Sequence, residues 1–484
     1  MNKRPTDKDQ ADSDANDPLL PPKNHITPNG PTSVQDKQSD NIILKGFQLS
    51  KPDLERICKH LTRELDASST AHCKTRIKRS TRVQPLPKGN EKGDFLSLSI
   101  GSDGVDIRRV ILSGSNTDCL SEMYDLPKVT ATGEENTDEP DLISFFFGVA
   151  GCAKMFLKSQ NLTTEALHVE YVSRSQFGPD DDVTMERVKE CTEGIVSEDD
   201  MDKDATELQQ HALRKMNATH RLRIKPTVKD PVGTLLSGIY HDQACTVAFL
   251  PDVQLTACYV PKHNTDKKAA TITTIEWGEV ADTGCLEIFR ADIDRELNES
   301  SENHEEKFLE KMVSCKHIGE ILRLALLKLH KDGAVFMSVP SLSALQRNGT
   351  ITFKHVSLIE SDLDGQNGLT RVVLNELKME KYTSEDCNIV RNICKTIIER
   401  SAHLTAAALV ALITHVKQSE VIIAVDGSMY RDHAEFYKIM EDKTKELLNG
   451  NHKFKLLPQY NGRRIGAAVA SVLAPKEDSN GRKA

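Results

Sequence analysis

From Gly93 to Leu112 the chain reads GDFLSLSIGSDGVDIRRVIL: two runs of alternating apolar and polar residues, broken by Gly101-Ser102-Asp103-Gly104. Period-two alternation on both sides of a Gly/Asp turn predicts a β-hairpin. Ahead of it, Leu54, Ile57, Cys58 and Leu61 recur at helical spacing behind Ser50, a capping residue, and Pro52, which the first helical turn tolerates. A helix over Leu49–Leu65 is predicted. After the hairpin, DLISFFFGVAGCAKMFLKSQ carries a helical stripe through Leu142, Phe145, Phe146, Val149 and Met155. From Pro179 to Thr219 the chain turns polar and acidic, a pattern of solvated helices, a long loop, or both.

A new pattern starts at RLRIKPTVKDPVGTLLSGIY, a strand, a break at Lys229-Asp230 and a helix. CTVAFLP and LTACYVP read as paired strands, and TITTIEWG as a strand ending at Glu276, Trp277 and Gly278. HEEKFLEKMVSCKHIGEILRLALLKLHKDG is helical over most of its length, with Gly333 as its stop. EDCNIVRNICKTIIERSAHLTAAALVALITHVK is a long helical region whose Ala-rich centre suits close packing on a sheet. VIIAVDGSMY is a buried strand entering a Gly turn and then a helix. No repeat of fixed period is visible. The pattern is mixed α/β with a boundary near Asp230. Residues 1–41, rich in Asp, Asn, Pro, Ser and Lys, are expected to be a disordered tail, and 477–484 a polar tail.

A chain of 484 residues can bury two or more cores. A formal net charge of -9 argues against general nucleic-acid binding. The one basic run, Lys74–Arg82 in KTRIKRSTR, is read as a solvated helix end and loop. Eleven cysteines without a C-x-x-C pair or metal-ligand spacing fit a reducing, cytoplasmic setting, with Cys152, Cys258 and Cys394 packing as small hydrophobes. The sequons at Asn161 and Asn348 are then chance matches. The N-terminus lacks an apolar signal core, and no stretch reads as long and apolar enough to span a bilayer.

Several segments together resemble the hexokinase family: KGDFLSLSIG as an opening strand, KDPVGT beside the family's NDTVGT, TIEWGEVADTGCLEIFR, FLEKMVSCKHIGEILRLALL, SLIESD, VRNICKTIIERSAHLTAAALVALI and VIIAVDGSMYRDHAEF. The resemblance covers roughly 42–474 and is thinnest between Leu167 and Ala218. It implies a two-domain actin-like ATPase (ribonuclease H-like) fold with an interdomain cleft, a small domain over 42–225 and a large domain over 226–476. It also implies transfer of a phosphoryl group from Mg-ATP to the 6-hydroxyl of a glucose-type hexose, a glycolytic reaction. Hexose and ATP are the implied small-molecule partners, and protein partners are not indicated. Asp230 falls on the family's catalytic base, a carboxylate ionised at neutral pH. The same Asp230-Pro231 pair also reads as an N-cap with proline at the first helical position. Glu276 and Glu310 fall on the two glutamates that grip sugar hydroxyls, and Lys189 on a small-domain sugar-side lysine. Ser357, Gly427 and Ser428 fall on the nucleotide side.

Other positions depart from the family. The first phosphate loop, LDLGGTN, reads LSIGSDG here, with Ser99 at the acidic position and Asp103 at a phosphate-binding one. The second, GTGSNA, becomes LPDVQLTA at Leu250–Ala257, where Pro251 and Asp252 intrude and the glycines are gone. FSFP becomes SRSQ at Ser173–Gln176, and the residue before the catalytic aspartate is Lys229, an ammonium that would weaken it as a base. GSGKGAA becomes NGRRIGAA, leaving Arg463 and Arg464 able to meet a phosphate. Losing one charge-stabilising contact costs about 10²–10³ in rate, so the expected transfer is slow. The alternative is a non-catalytic sugar-binding or regulatory protein of the same fold.

Overall fold

The alternation around Gly101–Gly104 becomes the hairpin it predicts, in which Phe95 faces Val110, Leu98 faces Ile107 and Gly101 faces Gly104. The computed structural model describes residues 45–68, 78–83, 85–101, 104–114, 116–125, 142–161, 168–171, 223–225, 230–262, 270–280, 286–301, 306–362 and 366–473, with single positions at 208, 211, 212, 215 and 304. The strands are β1 (Lys78–Val83), β2 (Lys92–Gly101), β3 (Gly104–Ser113), β4 (Thr117–Tyr124), β5 (His168–Tyr171), β6 (Arg223–Lys225), β7 (Cys245–Pro251), β8 (Leu255–Tyr259), β9 (Ala270–Glu276), β10 (Glu420–Val425) and β11 (Lys453–Pro458).

These strands form two sheets, ordered β4-β3-β2-β5-β6 and β1-β9-β8-β7-β10-β11. Without the edge strand β1 the two orders are the same. Each has three consecutive antiparallel strands and then two parallel ones added beside the first. The repeat is one of topology, invisible as a sequence period because the connections differ in length.

The helices are α1 (Lys51–Ala67), α2 (Leu142–Ser159), α3 (Asp230–His241), α4 (Trp277–Val280), α5 (Asp292–Ser300), α6 (Phe308–Val313), α7 (Cys315–Lys331), α8 (Phe353–Glu360), α9 (Gly368–Glu376), α10 (Ser384–Val416), α11 (Ser428–Asp432), α12 (Ala434–Leu448) and α13 (Gly462–Leu473). Ser50 caps α1 in a capping box with Asp53, and Leu54, Ile57, Cys58 and Leu61 are all buried, as their spacing predicts. The α10 helix runs through the larger core with its alanines 402, 406, 407, 408 and 411 fully buried. A second core joins α3 and α13 to Phe95, Val110 and Leu112 of the first sheet and Ile272 and Ala424 of the second. There α3 and α13 cross so closely that a Cβ at Gly466 would overlap the Gly233 carbonyl. Helices in atomic contact at paired glycines hold both sheets to one frame.

Four expectations change. The basic run is a strand over 78–83, the antiparallel edge partner of β9, with Lys78 opposite Ile275. Charged residues blunt an exposed sheet edge, and that hid the strand's period. Helix α1 and strand β1 precede the first sheet in sequence yet pack with the C-terminal half. Met155 is exposed, because the buried stripe of α2 runs from Val149 to Cys152, Ala153 and Phe156. Helix α10 is long and apolar enough to cross a membrane, contrary to the sequence expectation, but 83% of its apolar window is buried inside the protein, as in a core helix. Segments 1–44, 172–207 and 474–484 lie outside the described residues, so the two tails and most of the acidic stretch are not placed.

Candidate active site

The strand ends β7, β9 and β10 reach one edge of the second sheet, the edge where open α/β sheets take ligands. Thr256 pairs in register with Glu276, which puts that half-buried carboxylate beside the β7–β8 turn. Glu310, on the fully buried helix α6, comes to the same place: its Oε2 lies 3.3 Å from where a Cβ on Gly278 would sit. Gly278 is thus bare where the second carboxylate approaches. Lys311 donates to Asn298 Oδ1 at 2.8 Å in the interior and fixes α6 against α5. Asp230 opens α3, as the break at 229–230 predicts. The Cys258 thiol donates to the Pro231 carbonyl at 3.0 Å, which pins that helix start to β8 two residues from Thr256. Register and the bare Gly278 therefore bring Glu276 and Glu310 to one edge, and the start of α3, with Asp230, packs against β8. The Asp230 side chain, Lys189, Ser173–Gln176, Lys229, Ser102 and Asp103 lie outside the described residues.

The three nucleotide-side residues each already have a protein partner. Ser428, first residue of α11, donates its hydroxyl to Asp252 Oδ1, and Cys315 Sγ lies 3.4 Å from the Ser428 hydroxyl oxygen. Gly427 has φ +131°, where side chains are rare, and a Cβ there would strike the Pro251 carbonyl. Ser357 on α8 meets His433 Nε2 at 2.9 Å, and the other ring nitrogen of this buried histidine bonds Glu360 Oε2.

The two arginines of NGRRIGAA meet carboxylates, not open space. Arg463 pairs with Asp252 at 2.9 Å. Arg464 pairs with Asp106 of β3 at 2.5 Å, and Asp106, 3% exposed, also accepts from Arg108. Arg108 reaches on to Asn461 Oδ1 at 2.5 Å. Burial alone would raise the Asp252 pKa. Arg463 and the Ser428 hydroxyl outweigh it and hold the group below the usual carboxylate range. Asp252 is therefore an ionised carboxylate seated where the resemblance puts a phosphate loop. The sequence alone showed Asp252 as an intruder and Arg463 and Arg464 as able to meet a phosphate. Their mutual pairing spans 211 and 358 residues of chain, and no local signal carries it.

A polyphosphate does not fit this arrangement. The cations that would meet it are engaged, and two carboxylates face it at close range. Among the described residues, the Thr234 hydroxyl of α3 is fully buried with no partner, and its Cγ2 lies 3.3 Å from where a Cβ on Gly462 would be. A single hydroxyl does not offset two carboxylates.

Comparison with known proteins identifies the family and the fold. Two parts of the hexokinase family profile, both described as hexokinase, match residues 41–240 and 242–473. The chain is 29% identical over 415 residues to hexokinase HKDC1 of Mus musculus, covering 82% of this chain and 43% of that protein. It is 31% identical over 413 residues to hexokinase-1 of Rattus norvegicus, with 81% and 43% covered. The chain thus spans less than half the length of these curated relatives. Among solved structures, a hexokinase from Schistosoma mansoni complexed with glucose aligns with a TM-score of 0.71 at 22% identity, over 91% of this chain and all of that one. A second hexokinase crystal structure aligns with a TM-score of 0.66. The fold of this chain is therefore that of these hexokinase structures, a mixed α/β fold of the two-domain actin-like class.

Proposed function

This chain belongs to the hexokinase family, and from that premise we propose that it binds a hexose at Glu276 and Glu310 and phosphorylates it only weakly. The observation that carries the reading is Asp252, held ionised by Arg463 and Ser428 on the nucleotide side. Two carboxylates at one edge suit a sugar, since hydroxyls donate to them in charge-assisted hydrogen bonds. Asp230 at the start of α3 is the group that would accept the proton of the hydroxyl being phosphorylated. Mg-ATP, when bound, would supply the phosphoryl group, with Ser357, Gly427 and Ser428 the residues nearest to it. In the arrangement described, Ser428 is held by Asp252 and Ser357 by His433 instead. Access needs the Asp252–Arg463 pair to open, which lowers the populated fraction of competent protein and so the rate.

The test is glucose-dependent ADP formation at high protein concentration, with Asp230→Ala as the paired control, beside calorimetric titration of glucose. Slow turnover lost in Asp230→Ala, with glucose binding kept, is the expected result. Equal signal from both proteins with glucose bound would leave a binding or regulatory member of the family. No glucose binding and no turnover would overturn the proposal.

A further inference from the structure

Away from this edge, four polar side chains from four elements meet where α1, β1, β8 and α10 end or begin. Lys78 Nζ lies 2.8 Å from His415 Nε2 and donates to the Leu65 carbonyl at 2.6 Å. His415 Nδ1 lies 2.6 Å from Asp66 Oδ1, and the Tyr259 hydroxyl lies 3.2 Å from His415 Nε2. The Asp66 carboxylate fixes the proton on Nδ1, so Nε2 presents a lone pair to the lysine. The amine, the base and the carboxylate that orients the base stand in the order used to activate nucleophiles.

We propose that Lys78 is a site of covalent acylation by activated acyl compounds, with His415 as its base and Asp66 as the positioning residue. In the reaction with a thioester the Nζ lone pair forms the C–N bond, the C–S bond breaks and the thiolate leaves. The proton displaced from Nζ passes to His415 Nε2 and then to the thiolate, so the products are an amide and a thiol. After acylation the Tyr259 hydroxyl, already at 3.2 Å, can donate to Nε2.

Electrostatics acts in the same direction. Burial pushes the Lys78 ammonium down to about 8, against the opposing pull of Asp66 and with the help of the Lys417 cation. Burial first, and then Lys78, lower the His415 pKa, so the ring is neutral at pH 8. Burial raises the Tyr259 hydroxyl, which stays protonated. An ordinary lysine near 10.4 is under ~1% neutral at pH 8, against about half of Lys78, a ratio of roughly a hundredfold. If nucleophilicity falls with basicity as it does for thiols, about tenfold remains.

The experiment incubates the full chain with acetyl-coenzyme A across pH 7–10 and follows each lysine by peptide mass spectrometry. Lys331 and Lys381, both exposed, are the internal references. Lys78 should be acetylated about tenfold faster than either at pH 8, and its rate should level off above pH 8 while theirs keep rising. His415→Gln, which removes the base but leaves the burial of Lys78, should slow Lys78 severalfold, and Asp66→Asn, a change at a half-exposed carboxylate, should slow it to a similar extent with the melting temperature little changed. Labelling of Lys78 no faster than the references in the folded protein would overturn the proposal. So would rates that neither substitution alters.

Discussion

The two sheets share one topology, and their equivalent hairpins met the same problem in different ways. In the first, the strands β2 and β3 keep a full antiparallel register, and the acid sits inside the strand as Asp106, 3% exposed and shared between Arg108 and Arg464. In the second, the acid sits in the β7–β8 turn as Asp252, with one arginine and one serine hydroxyl. Consecutive residues at the start of α13, Arg463 and Arg464, serve both hairpins at once. The difference teaches that the same interaction is architectural in one sheet and local in the other. Asp106 with its two arginines ties the first sheet to α13. Asp252 joins the β7–β8 turn to the starts of α11 and α13.

The sharpest way to break this comparison is at the helix crossing that positions both arginines. Gly466→Ala places a methyl on the Gly233 carbonyl and must separate α3 from α13. A loss of about 3 kcal/mol or more is expected, as for severe overpacking, read from the midpoint of chemical unfolding. Next in size is Asp106→Ala, which strands two arginines at a buried site. Removing one partner of a fully buried pair costs about 3–5 kcal/mol, and less is expected here because the arginine side chains are 23% and 13% exposed. Double-mutant cycles with Arg464→Ala should return most of that loss, and purely additive losses would show that the pairing is idle.

Asp252→Gly probes the second hairpin. The expected cost in stability is smaller, about 1–2 kcal/mol, because Arg463 can turn to water. The gain is in function: a fluorescent ATP analogue should bind about tenfold more tightly once Arg463 and Ser428 are released, a change of ~1.4 kcal/mol. If the affinity does not move, Asp252 is not what closes the site.

The smallest effect is in pH. Asp252 has a lowered folded value, so its ion pair contributes stability that is fully present above the ordinary unfolded value of about 3.9 and is lost as pH falls through the folded one. Arg463→Gln leaves the carboxylate buried without its cation and should move the acid-unfolding midpoint upward. Acid unfolding unchanged from the parent protein would count against the pair.

Much of the fold was legible along the chain. The hairpin at Gly93–Leu112, the capped helix behind Ser50, the strand–break–helix at Asp230 and the long Ala-rich helix all form where local period and punctuation put them. The edge strand at Lys78 was not legible, because its charged residues mask alternation. Glu276 and Glu310 stood out only through the resemblance to hexokinases, and the structure gives the physical reason their elements converge: strand register for one, bare Gly278 for the other.

By itself, the sequence determined most of the elements, their polarity and the absence of glycine from the β7–β8 turn, since these rest on short-range pattern and backbone sterics. Tertiary structure alone decided that Arg463 and Arg464 are held by Asp252 and Asp106, that Ser357 faces His433, and that Lys78 meets His415. Those contacts join residues tens to hundreds of positions apart. Which cation finds which carboxylate is fixed by helix crossing and sheet order, and neither leaves a mark on the neighbouring residues.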